Sequence, residues 1–159
     1  EETAPSPVDR RKKGTKFTLL VDRHGIPLVV QTASANTSDH RQILSTVGQF
    51  PQVGGKTGRP KSLPDALYAD AGYDSEATRQ VLRFLGIEPH IRKQKEAPGS
   101  HLGKIRWVVE RTISWIKGLR RMRVRYDRSS TVVNAFATLA AAIICFHVLQ
   151  ETLSPKLVA

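Results

Sequence analysis

Residues 66–91 read ALYADAGYDSEATRQVLRFLGIEPHI, and this stretch decides the fold class. Ala66 to Ala69 is a short apolar run ending at Asp70, Ala71-Gly72-Tyr73-Asp74 is a turn, and Ser75 to Leu85 is a helix stopped by Gly86. Ile87 to Ile91 is a second short apolar run. Strand, helix and strand in so few residues imply a parallel pair joined by a crossover helix, since parallel neighbours cannot be linked by a tight turn. The expectation is an α/β layer with Asp70 at the carboxyl end of a strand, the edge where open α/β sheets bind ligands. Asp74 is placed as the cap of the helix.

Toward the start, KFTLLV (Lys16 to Val21) and IPLVVQT (Ile26 to Thr32) are β-type runs separated by Asp22-Arg23-His24-Gly25, which reads as a hairpin with Asp22 in the turn. A short helix follows to about Gln49, with Ser38 or Asp39 able to cap it. Pro51 to Pro64 holds three Gly, three Pro and three Lys/Arg and reads as a loop. Residues 1–13, polar with Pro5 and Pro7, read as an arm, 14–153 as the folded domain and 154–159 as a tail.

Toward the end, the last third is helical. On a helix from about Lys104 to Leu119, Arg106, Glu110 and Lys117 fall within about 40° of one another, beside an apolar arc of Ile105, Val109, Ile113 and Ile116. From Ser129 to Gln150 no residue is charged. That length could span a bilayer, for which about 20 residues suffice. Asn134, Thr138 and His147 interrupt it and its centre is Ala-rich, which favours a buried helix and no membrane partner.

The 159 residues carry 25 Lys+Arg against 14 Asp+Glu, a net charge of +11. Between Arg92 and Arg128 there are twelve Lys/Arg and three acids, so most of the excess lies in one segment. Arg10, Arg11, Lys12, Lys13 and Lys16 form a smaller cluster. Concentrated basic charge is the footprint of a polyanion, because each phosphate neutralised releases counterions. An apolar share of 40% excludes a disordered tail. The single cysteine, Cys145, excludes a disulfide framework or a Cys-rich zinc site and suits a reducing compartment. The five His show no ligand spacing. With Met122 the single methionine and no apolar leader at the start, the expectation is part of a longer, unsecreted chain.

Two acids stand out by position, Asp70 at a strand end and Glu110 on the helix stripe. Hard divalent cations take carboxylate oxygens together with waters and substrate phosphates, so converging carboxylates among basic residues suit phosphoryl transfer. Acids at strand ends and in helix ion pairs are also common without any such role, and spacing alone leaves both readings open.

The runs Leu67 to Asp74 and Arg106-Trp107-Val108-Val109-Glu110-Arg111-Thr112 with Trp115, in this order and separation, resemble bacterial insertion-sequence transposases of the DDE class. Gly14-Thr15-Lys16 leading into Leu20-Val21-Asp22, the Gly25-Ile26-Pro27-Leu28 turn, Ala35-Asn36 with Asp39, and the Arg-rich Leu119 to Arg128 fit the same family, so the likeness spans roughly Pro5 to Leu149. The resemblance implies a ribonuclease-H-like mixed sheet flanked by helices, and an Asp, Asp, Glu triad holding two Mg²⁺ or Mn²⁺ ions that activate water and then a 3′ hydroxyl. The implied activity is polynucleotidyl transfer, nicking transposon ends and joining them to a target. Asp70 matches the second Asp and Glu110 the Glu, as catalytic and metal-binding residues. Arg106 and Lys117 match an Arg and a Lys that contact DNA, with Arg111, Arg120, Arg121 and Arg123 as further DNA-binding candidates. A Tyr that the family places three residues before the Arg is replaced by Gly103.

No residue matches the first Asp, which the family carries on the first strand. The expected object is therefore a transposase catalytic domain lacking that strand, inactive alone, prone to aggregate through unpaired edges, and homo-oligomeric when complete. Double-stranded DNA, both transposon ends and target, is the implied partner, and the bacterial cytoplasm, on the nucleoid, the implied place. A non-catalytic DNA-binding remnant is the alternative reading, and a tail-anchored membrane protein using Ser129 to Gln150 a third.

Overall fold

The computed structural model describes residues 4–5, 13–54, 57–93 and 100–153. Most of the arm, including Arg10, Arg11 and Lys12, lies outside the described residues, as do Lys95, Glu96 and the tail at 154–159. Strand β1 (Ala4–Pro5) lies within the supposed arm and pairs antiparallel with the first residues of β2 (Lys13–Val21). Strands β2 and β3 (Pro27–Ser34) make the expected hairpin, antiparallel from Thr15↔Ser34 to Val21↔Pro27 with an irregularity at Leu20/Val21.

Asp22 is the turn residue that the sequence indicates. Its Oδ1 accepts the backbone N–H groups of His24 and Ile26, each at 2.8 Å. Gly25 then turns the chain at φ 87°, a conformation a residue without Cβ adopts freely.

Helix α1 (Asp39–Gly48) begins after Ser38, and neither candidate side chain caps it. Asp39 instead pairs with Lys16 of β2 at 2.5 Å, tying helix to strand. The central unit is as expected: β4 (Ala66–Ala69), a 3-10 turn (Ala71–Tyr73), α2 (Glu76–Phe84) and β5 (Glu88–Ile91), with β4 and β5 parallel in register Ala66↔Glu88 to Ala69↔Ile91. Asp74 is not the helix cap, a role that falls to the position of Ser75. It accepts from Nε and an Nη of Arg79 at 3.0 and 2.7 Å, and the same buried guanidinium donates to the Ile91 carbonyl at 2.7 Å. That bracket satisfies a charge on α2 against both ends of the unit, which a cap would not.

Helix α3 (Ser100–Gly118), the single turn α4 (Arg120–Arg123) and α5 (Ser130–Leu153) complete the chain. The one mixed sheet expected from the sequence is not formed among the described residues. The antiparallel β1–β2–β3 sheet and the parallel β4–β5 pair are separate. Two cores correspond to them. Ile43, Val47, Leu67, Leu82, Ile87 and Ile91 join α1 and α2 to the parallel pair. Ile116, Met122, Ala137, Ala140 and Ile144 join α3, α4 and α5, with Phe17, Leu19 and Val30 of the hairpin packed on them.

Helix α5 is long and apolar enough to cross a membrane, by length and composition. It is not the buried helix the sequence suggests: Val133, Ala137, Ala140 and Ile144 are buried, while Leu139, Phe146, Leu149 and Leu153 are exposed. Its polar interruption is what docks it. Asn134 Oδ1 accepts from the Thr32 backbone N–H at 3.0 Å and the Thr32 hydroxyl at 2.7 Å, fixing α5 on β3.

A Cβ at Gly25 would lie 2.8 Å from an Nη of Arg111, 2.9 Å from Thr112 Oγ1 and 3.2 Å from a Val108 methyl. Gly25→Ala therefore combines an unfavourable φ with a clash at the hairpin–α3 contact. It should destabilise the fold by about 2 kcal/mol or more, read as a lowered midpoint of thermal unfolding by circular dichroism.

Candidate active site

Asp70 sits where β4 ends, with the 3-10 turn starting one residue later; the Tyr73 N–H donates to its backbone carbonyl at 3.0 Å. Glu110 comes from the middle of α3, a helix that runs unbroken from residue 100 to 118, so the Arg106, Glu110, Lys117 stripe is retained. Arg106 joins the two acids. Its Nε donates to Glu110 Oε1 at 2.8 Å and lies 3.9 Å from Asp70 Oδ2. The hydrogen bond to Glu110, then the Asp70 charge, raises the guanidinium pKa above its ordinary value. All three side chains are more than half exposed, so these ion pairs contribute little to stability.

The three residues line a cavity of about 380 Å³. Its walls are mostly apolar, from β2, α1, β4 and α3. Tyr73, from the turn after Asp70, also lines it. Burial pushes its phenol above the ordinary 10.0, and the charges of Asp39 and then Asp70 add to the rise against a side-chain hydrogen bond with Thr18. Lys16, Asp39 and Tyr73 are thus neighbours of the site that the sequence did not single out. Asp39 and Tyr73 lie inside motifs already noted, but that an acid 31 positions before Asp70 returns to its turn is a tertiary fact. It is visible at Gly72, where a Cβ would meet Asp39 Oδ2 at 3.0 Å.

The remaining cationic candidates divide. Arg111 is folded back onto the hairpin turn, where it donates to the His24 carbonyl. Its guanidinium lies between the rings of Trp107 and Trp115, 4.7 and 4.8 Å from their centroids, and its Nε is buried without a hydrogen-bond partner. Arg121 pairs with Asp127 at 3.0 Å and stacks on Phe136. Arg123 donates from Nε to the Lys117 carbonyl at 3.4 Å. Lys117, Arg120, Arg121 and Arg123 are all exposed on the segment that follows the stripe. Arg125, which the sequence counts equally, is a structural brace that donates to Thr15 and to the Asp127 and Arg128 carbonyls.

Among the described residues no group of three or more His, Cys, Asp or Glu converges as a metal cage. Asp70 and Glu110 are nevertheless hard oxygen donors held by one shared cation and open to water, the donor chemistry that Mg²⁺ or Mn²⁺ accepts. Asp22 lies in the hairpin turn, and Asp39 is paired with Lys16.

A raised phenol pKa contributes stability that is fully present below about pH 10 and is lost as pH rises through the folded-state value. Tyr73→Phe should therefore lessen the fall in stability on the alkaline side and leave the profile below pH about 9 unchanged in shape, measured by denaturant unfolding across pH.

The sequence is similar to known proteins over most of its length. The family described as "Transposase DDE domain" matches residues 2–145. The chain is 42% identical over 150 residues to a Burkholderia cepacia protein named "Putative transposase for insertion sequence element IS402", covering 94% of this chain and 71% of that protein. No solved structure matches.

Proposed function

The chain belongs to the transposase DDE-domain family, and from that premise we propose that Asp70 and Glu110 are the two carboxylates it contributes to a metal-dependent phosphoryl-transfer site on DNA. The observation that carries this reading is the convergence through Arg106 of an acid at a strand end and an acid on a helix, 40 positions apart in sequence, lining one cavity. Asp70 and Glu110 would hold Mg²⁺ or Mn²⁺, which when bound supplies Lewis-acid activation of water or of a 3′ hydroxyl toward a phosphodiester.

The other residues have separate work. Arg106, exposed and pinned between the acids, is placed to hold a phosphate oxygen beside them once a cation takes over the carboxylates. Lys117, Arg120, Arg121 and Arg123 continue the positive surface beyond it and would engage the DNA backbone, giving register without sequence readout. Arg111, held at the hairpin turn, would serve DNA by orienting α3. The proposed frame is a ribonuclease-H-like domain lacking its first strand and first Asp, so that this chain alone does not turn over. The setting proposed is the bacterial cytoplasm, on nucleoid DNA, with a homo-oligomer as the working form. The polar anchor of α5 on β3 supports a helix docked on protein rather than a membrane anchor.

Three measurements test this. Asp70→Asn and Glu110→Gln should each weaken Mn²⁺ binding about tenfold or more in calorimetric titration, while DNA affinity stays within about twofold. Unchanged Mn²⁺ binding in both variants would leave only the DNA-binding reading. Lys117→Ala should lower DNA affinity and reduce the slope of log K against log salt by about 0.9, by fluorescence anisotropy on duplex DNA. Mg²⁺-dependent nicking of duplex DNA by this chain alone would overturn its proposed inactivity.

A further inference from the structure

Helix α5 has two apolar faces, and the fold uses one of them. Val133, Ala137, Ala140 and Ile144 are buried, the last three in the core shared with α3, α4 and the hairpin. On the other side Val132, Leu139, Phe146 and Leu153 recur every seven residues, with Ala135, Ala142 and Leu149 recurring every seven between them, and all of these are exposed. At a turn of about 100° per residue, this second set centres about 160° from the buried one. Alternating steps of three and four residues are the spacing with which one α-helix meets another along a seam. The strip is about 32 Å long and about 10 Å wide, a size at which an exposed apolar patch marks an interaction.

The flanks of the seam and its own side chains point to what covers it. No residue from Ser129 to Gln150 is charged, and Glu151, the one charge on α5, falls on the side of the docked face. Thr138 and Thr152, beside the seam, donate their hydroxyls to the Asn134 and Val148 carbonyls of their own helix at 3.0 and 2.8 Å, so they can be covered without losing a partner. DNA finds no cation here. A chain of net charge +11 repels its own copies, and a face without charge is where two of them meet at least electrostatic cost. The seam also fits itself. Paired parallel, Phe146 would face Phe146 and Ala142 would face Ala142. Paired antiparallel about a two-fold axis near Ile144, Ala142 faces Phe146 of the other copy, Ala135 faces Leu153 and Leu139 faces Leu149, so that large residues meet small ones, as close packing requires.

We propose that the outer face of α5 is where a second copy of this chain docks, helix against helix, antiparallel and related by a two-fold axis. The proposal names the surface of the homo-oligomer proposed above and rests on that part of the reading alone; neither DNA nor metal enters it. A strip of this footprint is small beside the ~800 Å² per partner of a standard interface, so association is reversible, in the micromolar range, and lost on dilution.

Sedimentation velocity of the whole chain, without DNA, should show a monomer–dimer equilibrium across a dilution series. Ala142→Glu and Phe146→Lys each place a charge in the seam at a position exposed in the monomer. Circular dichroism should therefore stay native while the dimer Kd rises about tenfold or more, the consequence of covering an unpaired charge. Mixed in equal amounts, the two variants should restore the dimer, because antiparallel pairing sets the new carboxylate of one chain opposite the new ammonium of the other and leaves Phe146 on Ala142 at the matching layer. Should either variant fail to fold, Leu139→Gln supplies the same loss of association through its contact with Leu149. A monomer at every concentration, a dimer indifferent to the substitutions, or a mixture that stays monomeric would overturn the proposal. So would flotation of the unsubstituted chain with neutral phosphatidylcholine vesicles, which would put a bilayer on this face. A dimer indifferent to the substitutions would leave the oligomer standing on another surface, and loss of Mn²⁺ or DNA binding would leave the seam untouched.

Discussion

The orientation of α3 depends on one contact, the seating of the hairpin turn at Gly25 against Val108, Arg111 and Thr112. Thr112 is fully buried and donates to the Gly25 carbonyl at 2.7 Å. Arg111 holds the neighbouring His24 carbonyl. Arg111 and Thr112 together hold the roll of α3 against the turn, and two positions before Thr112 the side chain points about 160° away. Glu110 is thus turned outward from the hairpin and toward the end of β4, with Arg106 one turn behind it. The absence of a Cβ at position 25 is what lets the turn come this close. The candidate acid on the helix is aimed by a glycine 85 positions earlier.

The same docking explains why the exposed ladder of Trp107, Arg111 and Trp115 exists on a helix whose inner face is already occupied. A guanidinium committed to a backbone carbonyl still carries its charge, and the two indole faces stabilise it where a carboxylate would compete with the site one step round the helix. The two tryptophans therefore keep Arg111 at the turn, and the turn keeps α3 in place. Beneath this, strand β2 packs against both cores among the described residues. Leu20 packs toward the α1–α2 core while Phe17 and Leu19 pack toward the α5 core, so β2 is the element shared by both.

Much of this was legible from the residues alone because it is local. The Asx turn at Asp22, the β4–α2–β5 unit and the helical stripe carrying Arg106 and Glu110 follow from spacing and turn chemistry, and the structure places Asp70 at the strand end where the reading put it. What could not be read is which of two satisfactory partners a polar residue takes. Asp74 can cap a helix or bind Arg79, and the second wins because it also satisfies the Ile91 carbonyl. Asp39 can cap α1 or pair with Lys16, and the pair wins because β2 lies beside the helix start. The separation of the two sheets among the described residues has a related reason. A hairpin and a parallel pair each satisfy their own local rules, and nothing in either requires that their edges meet.

Charge counting shows the limit of composition most clearly. The sequence presents the arginines from 111 to 125 as one cationic field, yet the structure gives them unlike roles. Arg111 and Arg125 donate to backbone carbonyls and brace the hairpin, and Arg121 is balanced by Asp127, whereas Arg106 is shared by the two site acids. A guanidinium has five donors in a fixed fork and so can bridge several acceptors at once, which makes it useful as a structural strut as well as a phosphate ligand. The electrostatic footprint offered to a polyanion is therefore narrower than the net charge suggests. It runs from Arg106 through Lys117 to Arg120 and Arg123, along one side of α3 and past its end, and it begins at the carboxylates. A duplex held along that line would have its backbone delivered to Asp70 and Glu110 by the same helix that carries one of them, so that binding and alignment of the scissile phosphate would be set by a single rigid element.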